Sequence, residues 1–338
     1  MNTTSQAHRA RPESESGLEA DRQARGRDAR NPEQIPQTGW RDILARVWKE
    51  IRSDNVSLVS AGLAMYALLA VFPALAATVS LYGLFAMPAD VIQHMQVFAG
   101  VLPPGAWDIF ARQLQEVASS QQSTLTATAA ISLLVALWSA RSGMASLMTA
   151  SNIAYSEREK RGFVRQVLLS LAFTAGAILG FLAMLLLGIA VPMGLEVFGA
   201  SAPIELAVGF LRWLLLWLVA VGGLAVVYRY APARRRARWR WVTWGSAIAA
   251  TLWLIGSLLF SLYVGTFGTY AKTYGALGGV IVLLLWFYLS SFIVVLGAEI
   301  NSEMERQTAR DTTGGPEKPL GQRGAHAADT VGAAAGQE

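Results

Sequence analysis

Ionisable side chains that interrupt or end long apolar stretches are the residues of this sequence that could do chemistry. Arg141 follows an uncharged run from Val117 to Ala140, and Glu299 ends a second run from Thr273 to Ala298. A charge at bilayer depth is costly unless it is paired or hydrated, so such residues mark substrate and ion paths by default. We therefore take Arg141 and Glu299 as substrate-path candidates. Glu299 is the first candidate partner of Arg141, and Asp54 is the alternative.

The interpretation of Arg141 depends on where its helix ends. If the span ends near Arg141, the side chain reaches back to the interface and has no further role. If the helix continues to about Ala150, the guanidinium lies inside the bilayer and needs a partner or a hydrated cavity. The uncharged extension after Arg141 favours the second reading. Asn152, which follows in that extension, and Tyr66 in the first apolar stretch are further substrate-path candidates.

A second group of candidates lies between the last two apolar stretches. Tyr270, Lys272 and Tyr274 occur among five glycines at positions 265 to 279. Small residues allow close backbone approach, and hydroxyl groups with one cation could line a polar path. Tyrosines at a membrane interface are also ordinary anchors, and glycine is frequent in membrane helices. Both interpretations stay open for this segment.

Six long apolar stretches must position these residues. Each is long enough to cross a hydrocarbon core of about 30 Å, which needs roughly 20 helical residues. Hydrophobic residues make up 53% of the chain and charged residues only 15%. The sequence therefore predicts an all-α polytopic membrane protein. The expected spans are about 57–85, 123–149, 166–191, 206–228, 242–264 and 276–299.

The distribution of Lys and Arg predicts the orientation of these spans. Of the 28 basic residues, 24 fall before Asn55, in two short loops around residues 158–165 and 229–240, or after Glu299. Short cytoplasmic loops retain positive charge. We therefore expect a multi-pass membrane protein with both termini in the cytoplasm. The net charge of +5 reflects this topology and does not indicate binding to nucleic acid.

The flanking segments have a different composition. Residues 1–38 and 304–338 are predicted to be disordered cytoplasmic tails around a membrane domain of residues 39–303. Within that domain, residues 40–52 repeat apolar side chains at helical spacing. They predict an amphipathic helix that lies on anionic phospholipids or, alternatively, packs on a loop. The outer loop 86–116 is expected to form two short helices.

Pro73 lies near the middle of the first span, where proline removes a helical hydrogen bond and predicts a kink. The kink either opens a cavity toward neighbouring spans or only shapes their packing. In the third span, Gly176 and Gly180 have the GxxxG spacing, which is a weak signal for helix packing.

Several chemistries are not supported by the sequence. There is no Cys, and the three His are scattered at positions 8, 94 and 326, so we expect no metal site. The GxxxxGK[ST], HExxH and GxSxG patterns are absent in a suitable context. We expect no cofactor, no ATP-driven pumping by this chain alone and no enzymatic activity.

Several motifs in order along the chain resemble the YihY/BrkB family of bacterial inner-membrane proteins over residues 40–302. The motifs are Tyr66-Ala-Leu-Leu-Ala-Val-Phe-Pro73, Leu137-Trp-Ser-Ala-Arg141, Asn152-Ile-Ala-Tyr155, Tyr228-Arg-Tyr-Ala-Pro232, Thr269-Tyr-Ala-Lys-Thr-Tyr-Gly275 and Gly297-Ala-Glu-Ile-Asn301.

The resemblance implies six spans and a role in serum resistance, envelope homeostasis or export of solutes or lipids. It also carries a historical label, ribonuclease BN. The lack of a His and carboxylate cluster speaks against that activity, since Glu157 and Glu159 are flanked by basic residues. Three hypotheses remain: a secondary transporter or exporter of a small polar solute or lipid-type amphiphile, a non-transporting envelope scaffold, and a membrane-embedded enzyme. The sequence leaves oligomer formation open.

Overall fold

The computed structural model describes residues 15–82, 111–112, 127–198, 202–266 and 276–336, and these residues are predominantly helical. A 3₁₀ turn at Pro32–Gln34 lies between the first two helices. We number the helices in chain order: α1 Glu15–Ala24, α2 Gln37–Ser53, α3 Val56–Tyr82, α4 Ala127–Ala154, α5 Phe163–Phe198, α6 Ala202–Tyr230, α7 Trp239–Thr266, α8 Ala276–Gln307 and α9 His326–Asp329.

The six long helices α3 to α8 pack in a ring that follows the chain order. Each packs against the next, and α8 closes the ring by packing on α3. Helix α8 also contacts α2 and α4, so it is the central support of the bundle. We call the end that carries α2, residues 155–162, residues 231–238 and residues 308–336 the arginine-rich end.

Within the described residues, four of these helices are long and apolar enough to cross a membrane by themselves. A fifth span results if the bent pair α2 and the first part of α3 counts as one. The predicted all-α membrane fold is thus confirmed, whereas the count of six spans stays a prediction. The four are Phe163–Met184, Ala207–Tyr230, Trp239–Gly265 and Gly278–Gln307.

The sharp change of direction near the start of the bundle occurs before the first long helix begins. α2 and the Val56–Val71 part of α3 meet at an angle of 65°. Asn55 forms the turn with a φ of 50°, in the left-handed region that Asn tolerates better than most residues. We call Asp54 and Asn55 the elbow. Helix α3 continues past Pro73 to Tyr82, so proline does not end it.

Helix α2 packs on α8, while its expected contact with phospholipids stays a prediction. Ile43 and Val47 are buried in a cluster with residues of α8, so one face packs on protein. On another face Leu44 is 58% exposed and Trp48 is 62% exposed. The guanidinium of Arg52 lies 4.9 Å above the Trp48 ring. This aromatic and cationic face has the composition of a helix at a membrane interface.

Three contacts lock α8 against its neighbours. The Tyr228 hydroxyl donates a hydrogen bond of 2.7 Å to the carbonyl of Val294. The Asn301 side chain accepts from the backbone N–H of Gly245 at 3.0 Å and donates to the carbonyl of Val242 at 3.2 Å. These bonds satisfy buried polar groups, which would otherwise cost stability. They give Tyr228 and Asn301 a structural role in holding α8 in place.

The expectation of a disordered C-terminal tail at 304–338 differs from the structure. Helix α8 continues two turns beyond the predicted end of the span, to Gln307, and residues 308–336 pack across the arginine-rich end. Thr308, Thr312 and Thr313 are completely buried. The expectation relied on composition, which does not register that basic residues elsewhere in the chain supply partners for this segment. Likewise α1 and the 3₁₀ turn lie within the predicted N-terminal tail, while residues 1–14 lie outside the described residues.

Candidate functional site

A polar cleft between α3 and α4 contains Arg141. The cleft has a volume of about 760 Å³, and Gln166 at the start of α5 closes one side. Helix α3 contributes Val59, Gly62, Leu63 and Tyr66. The α4 wall consists of Trp138, Ser139, Arg141, Ser142, Ala145, Ser146, Thr149, Ala150 and Ile153.

Arg141 lies on α4 at a position of intermediate exposure. The helix continues thirteen residues beyond Arg141 to Ala154, which corresponds to roughly 20 Å along its axis. The helix therefore does not end near Arg141, whereas the depth at which the membrane span ends stays a prediction. The guanidinium lies 4.2 Å above the Trp138 ring, a cation–π contact. The Nε atom is buried and has no hydrogen-bond partner in the described part of the chain.

The partner expected for Arg141 is not found there. Among the described residues Arg141 forms no ion pair, and neither Glu299 nor Asp54 lines the cleft. The sequence interpretation paired Arg141 with Glu299 or, alternatively, with Asp54. The described structure shows neither pair, so this interpretation is corrected. Glu299 lies on α8, whose contact with α3 carries it toward the elbow instead. Sequence spacing could not show which helices are neighbours in the ring.

Hydroxyl groups extend from Arg141 toward the arginine-rich end of α4. Ser142, Ser146 and Thr149 each donate a hydrogen bond to a carbonyl of their own helix, at 2.9, 3.0 and 3.2 Å. Their oxygen lone pairs remain free to accept, and Gln166 adds an amide. The cleft thus presents one permanent cation followed by a row of neutral polar groups. This arrangement can bind an anionic group and solvate a polar one.

Tyr66 is the second candidate that the structure brings to the cleft. It is 49% exposed and faces Arg141 from the α3 side of the cavity, while Trp138 is 52% exposed. Both rings lie at a cleft that is accessible from outside the bundle. The sequence identified Tyr66 and Arg141 separately, and the structure places them at one cavity.

Glu299 lies instead beside the elbow. Its side chain is only 1% exposed, and its Oε1 atom is buried without a hydrogen-bond partner in the described structure. The carboxyl group of Asp54 is within hydrogen-bonding reach. Burial, followed by the nearby charge of Glu50, raises the pKa of Asp54 to about 6. Two acidic groups without a cation between them are therefore held together where α2 meets α3.

Asn152 has a well-defined place outside the cleft lining. Its amide nitrogen donates to Glu159 at 3.1 Å, and its Oδ1 accepts from the backbone N–H of Ala233 at 2.7 Å. Glu159 in turn binds Arg161 at 2.6 Å, and this contact lowers the pKa of Glu159 to about 2. Asn152 therefore joins the two loops of the arginine-rich end. Its assignment to a substrate path stays a prediction.

The remaining candidates, Tyr270, Lys272 and Tyr274, lie outside the described residues, as does nearly all of the outer loop 86–116. In the described ranges no group of three or more His, Asp or Glu is arranged to hold a metal ion.

A second, apolar cavity of about 390 Å³ lies on the other side of the α3–α4 pair. Leu63 lines both cavities, and Gly143 packs so closely on α3 that an added Cβ would lie 3.1 Å from that of Ala70. Periodicity could not reveal this cavity, because α3 and α4 are apolar on nearly every face. Its walls come from α3, α4 and α5, with contributions from Leu224, Phe287, Ser290, Ser291 and Val294.

An ion-paired network at the arginine-rich end was also missed. Arg46 is 3% exposed, and it binds Glu303 at 2.5 Å, Gln307 at 2.8 Å and the carbonyl of Ala333 at 2.8 Å. Arg323 donates to four backbone carbonyls at 2.6 to 3.1 Å. These contacts hold the C-terminal segment in place. The only sequence signal for this network was the concentration of arginines. The membrane topology already accounted for those arginines.

Comparison with known proteins agrees with this architecture. The family model described as Virulence factor BrkB matches residues 47–321. The chain belongs to the BrkB family. Within α4 and α8, the match includes both Arg141 and Glu299. It also extends through Thr308 and Thr312, so it includes much of the packed C-terminal segment.

Two relatives within this family cover most of the chain. The ribonuclease-like protein YfkH of Bacillus subtilis is 31% identical over 255 residues, which is 73% of this chain and 90% of YfkH. A UPF0761 membrane protein of Cronobacter sakazakii is 27% identical over 287 residues, or 82% of this chain and 93% of the relative. No solved structure matches the chain. The protein is thus an integral membrane protein of the BrkB family.

Proposed function

We propose that this protein is a secondary transporter or exporter in the bacterial inner membrane and that the Arg141 cleft is part of its substrate path. The arginine-rich end would face the cytoplasm. The observation that carries the proposal is the unpaired guanidinium of Arg141, roughly 20 Å from the end of α4, in a polar cleft of about 760 Å³.

The Arg141 guanidinium needs a source of stabilisation at this depth. An arginine inside a membrane protein costs several kcal/mol unless it pairs, reaches the interface or lines a hydrated cavity. Arg141 forms no ion pair among the described residues, and Trp138 covers only one face of its guanidinium. We propose that water or a substrate in the cleft supplies the missing partner. A purely structural arginine would be expected to have a carboxylate partner.

The lining indicates the substrate class. A permanent cation next to hydroxyl and amide groups suits a small polar solute or a lipid-type amphiphile that carries an anionic group. The exposed rings of Tyr66 and Trp138 would border an apolar portion of such a molecule. At the arginine-rich end of the bundle, Trp48 and Arg52 on α2 suit contact with anionic phospholipids.

The test is movement of defined probes across reconstituted vesicles. We would measure translocation of a fluorescent anionic phospholipid and, separately, efflux of a small anionic dye. Arg141→Ala should reduce movement of at least one probe by about tenfold or more, and Arg141→Lys should retain part of it. The matched control is Arg212→Ala, because Arg212 also lies near a tryptophan, 5.7 Å from the Trp213 ring, but outside the cleft.

Unchanged movement in folded Arg141→Ala would contradict the proposal and would favour the alternative, a non-transporting scaffold for envelope homeostasis. We propose no catalytic role and no nucleic-acid substrate for the chain. The ribonuclease-like name belongs to YfkH.

A further inference from the structure

Half-buried Asp54 and fully buried Glu299 form a pair of carboxyl groups that does not line the cleft. They come from different elements: Asp54 ends α2 at the elbow, and Glu299 projects from α8. Their carboxyl groups are within hydrogen-bonding reach. A hydrogen bond between two carboxyl groups requires a proton on one of them, because two carboxylates offer only acceptors.

No ion pair among the described residues neutralises either carboxyl group. Neither Asp54 nor Glu299 takes part in an ion pair within the described ranges, and Oε1 of Glu299 is buried without a partner. The other groups that face the pair are two glutamates, one arginine and one tyrosine. They are Glu50 on α2, Glu303 and Arg306 on α8, and Tyr155 at the end of α4.

The basic groups nearby are already occupied. Arg306 binds Glu50 at 3.2 Å and also binds Glu303. Arg46 binds Glu303 at 2.5 Å. Both guanidinium groups therefore compensate the flanking glutamates, and the net charge left at the elbow is that of the Asp54 and Glu299 carboxyls. Burying two adjacent negative charges is strongly unfavourable, so the pair must take up a proton or separate.

We infer that Asp54 and Glu299 together form a proton-binding site that holds one shared proton at neutral pH. The site lies close enough to the cleft for a change of its charge to alter the position of α3. Asp54 is five residues before Val59, the first cleft residue on α3, and the elbow sets the angle of 65° between α2 and α3. Loss of the proton would create repulsion between the elbow and α8. If the proposed transport function holds, this site supplies the coupling ion.

Infrared spectroscopy of the full chain in vesicles tests the site directly, because a protonated carboxyl group absorbs apart from carboxylates. We would titrate from about pH 5 to pH 10. Ordinary Asp and Glu side chains are already mostly ionised at the lower limit of this range. The wild-type protein should retain a protonated carboxyl band at neutral pH and lose it at higher pH. Glu299→Gln should remove the neutral-pH band.

Asp54→Asn should shift the midpoint of the remaining titration to lower pH by at least about one unit, because the amide donates to the ionised form and one negative charge is gone. The control is Glu317→Gln, since the Glu317 side chain is 72% exposed. Absence of a neutral-pH band in the wild-type protein would overturn the inference even if both variants failed to fold. A band that neither substitution changes would also overturn it.

This measurement is independent of transport. If the band behaves as expected but Arg141→Ala leaves probe movement unchanged, the proposed function fails and the proton site stands. If the band is absent while Arg141→Ala abolishes movement, the transporter stands without this proton site.

Discussion

Arg234 and Glu305 form a doubly hydrogen-bonded ion pair in which both side chains are completely buried. The two N–H···O distances are 2.9 and 2.7 Å. The Arg234 guanidinium also lies 4.1 Å above the Tyr155 ring, and Thr312 donates to Glu305 at 2.8 Å. One pair therefore joins the connection between α6 and α7 to α8, to the end of α4 and to the C-terminal segment.

Removing one member of this pair should destabilise the protein strongly. Arg234→Met leaves the Glu305 carboxylate buried without its cation, which costs about 3–5 kcal/mol. We expect a clear fall in the midpoint of thermal unfolding in detergent. The control is Arg22→Met, which breaks a pair with Asp28 whose side chains are 55% and 46% exposed and should cost less than about 1 kcal/mol. Equal effects of the two substitutions would argue against the pair's structural role.

Gly297 should tolerate no side chain. A Cβ at this position would lie 2.7 Å from the Cβ of Ala249 and 3.2 Å from the carbonyl oxygen of Gly245, and it would also meet the Tyr228 hydroxyl. We expect Gly297→Ala to cost about 1–3 kcal/mol through overpacking. Thermal unfolding in detergent measures the effect.

The matched control for Gly297 is Gly176→Ala on α5. An added Cβ there meets no atom within 4 Å, so the substitution should be neutral or should stabilise the helix by up to about 1 kcal/mol. A loss of stability at Gly176 comparable to that at Gly297 would contradict this view. The same open space exists at Gly180, so the GxxxG pair does not mark a helix contact within the described residues.

The sequence predicted what depends on composition along the chain. Long apolar runs gave the helical membrane fold, and an uncharged extension after Arg141 indicated that α4 continues beyond it. Both follow from the cost of exposing polar backbone or charge to hydrocarbon.

What the sequence could not predict depends on which helices are neighbours. Arg141 and Glu299 share no cavity, because α8 directs Glu299 toward the elbow and α3 brings Tyr66 to Arg141. The C-terminal segment looked disordered for a related reason. Arg46 and Asp42 lie more than 250 residues away from Ala333 and Ala335, the residues that they bind. Composition within a window carries no signal for such contacts.

The elbow should give the protein a pH-dependent stability. Burial raises the pKa of Asp54 to about 6, above its ordinary value near 4. Between these values the folded state binds the proton more strongly than the unfolded state does, so stability should fall as pH rises through this window. Asp54→Asn should remove that part of the dependence and should raise stability at neutral pH.

Thermal unfolding measured at intervals between about pH 4 and pH 7 would show the difference between wild type and Asp54→Asn. The control is Asp28→Asn, because Asp28 is about half exposed at the arginine-rich end. Parallel curves for the wild-type protein and Asp54→Asn would show that the pKa of Asp54 is not raised in the folded state.

Membrane orientation can be tested with single cysteines, because the natural chain contains none. Glu317→Cys places a thiol on the arginine-rich end, at a side chain that is 72% exposed. If positive charge is retained in the cytoplasm, a membrane-impermeant maleimide should label Glu317→Cys only after the inner membrane is permeabilised. Arg112→Cys, at an exposed residue of the predicted outer loop, should be labelled in intact cells. The reverse pattern would place the Arg141 cleft and the Asp54–Glu299 site in the opposite orientation, because both are fixed relative to the arginine-rich end.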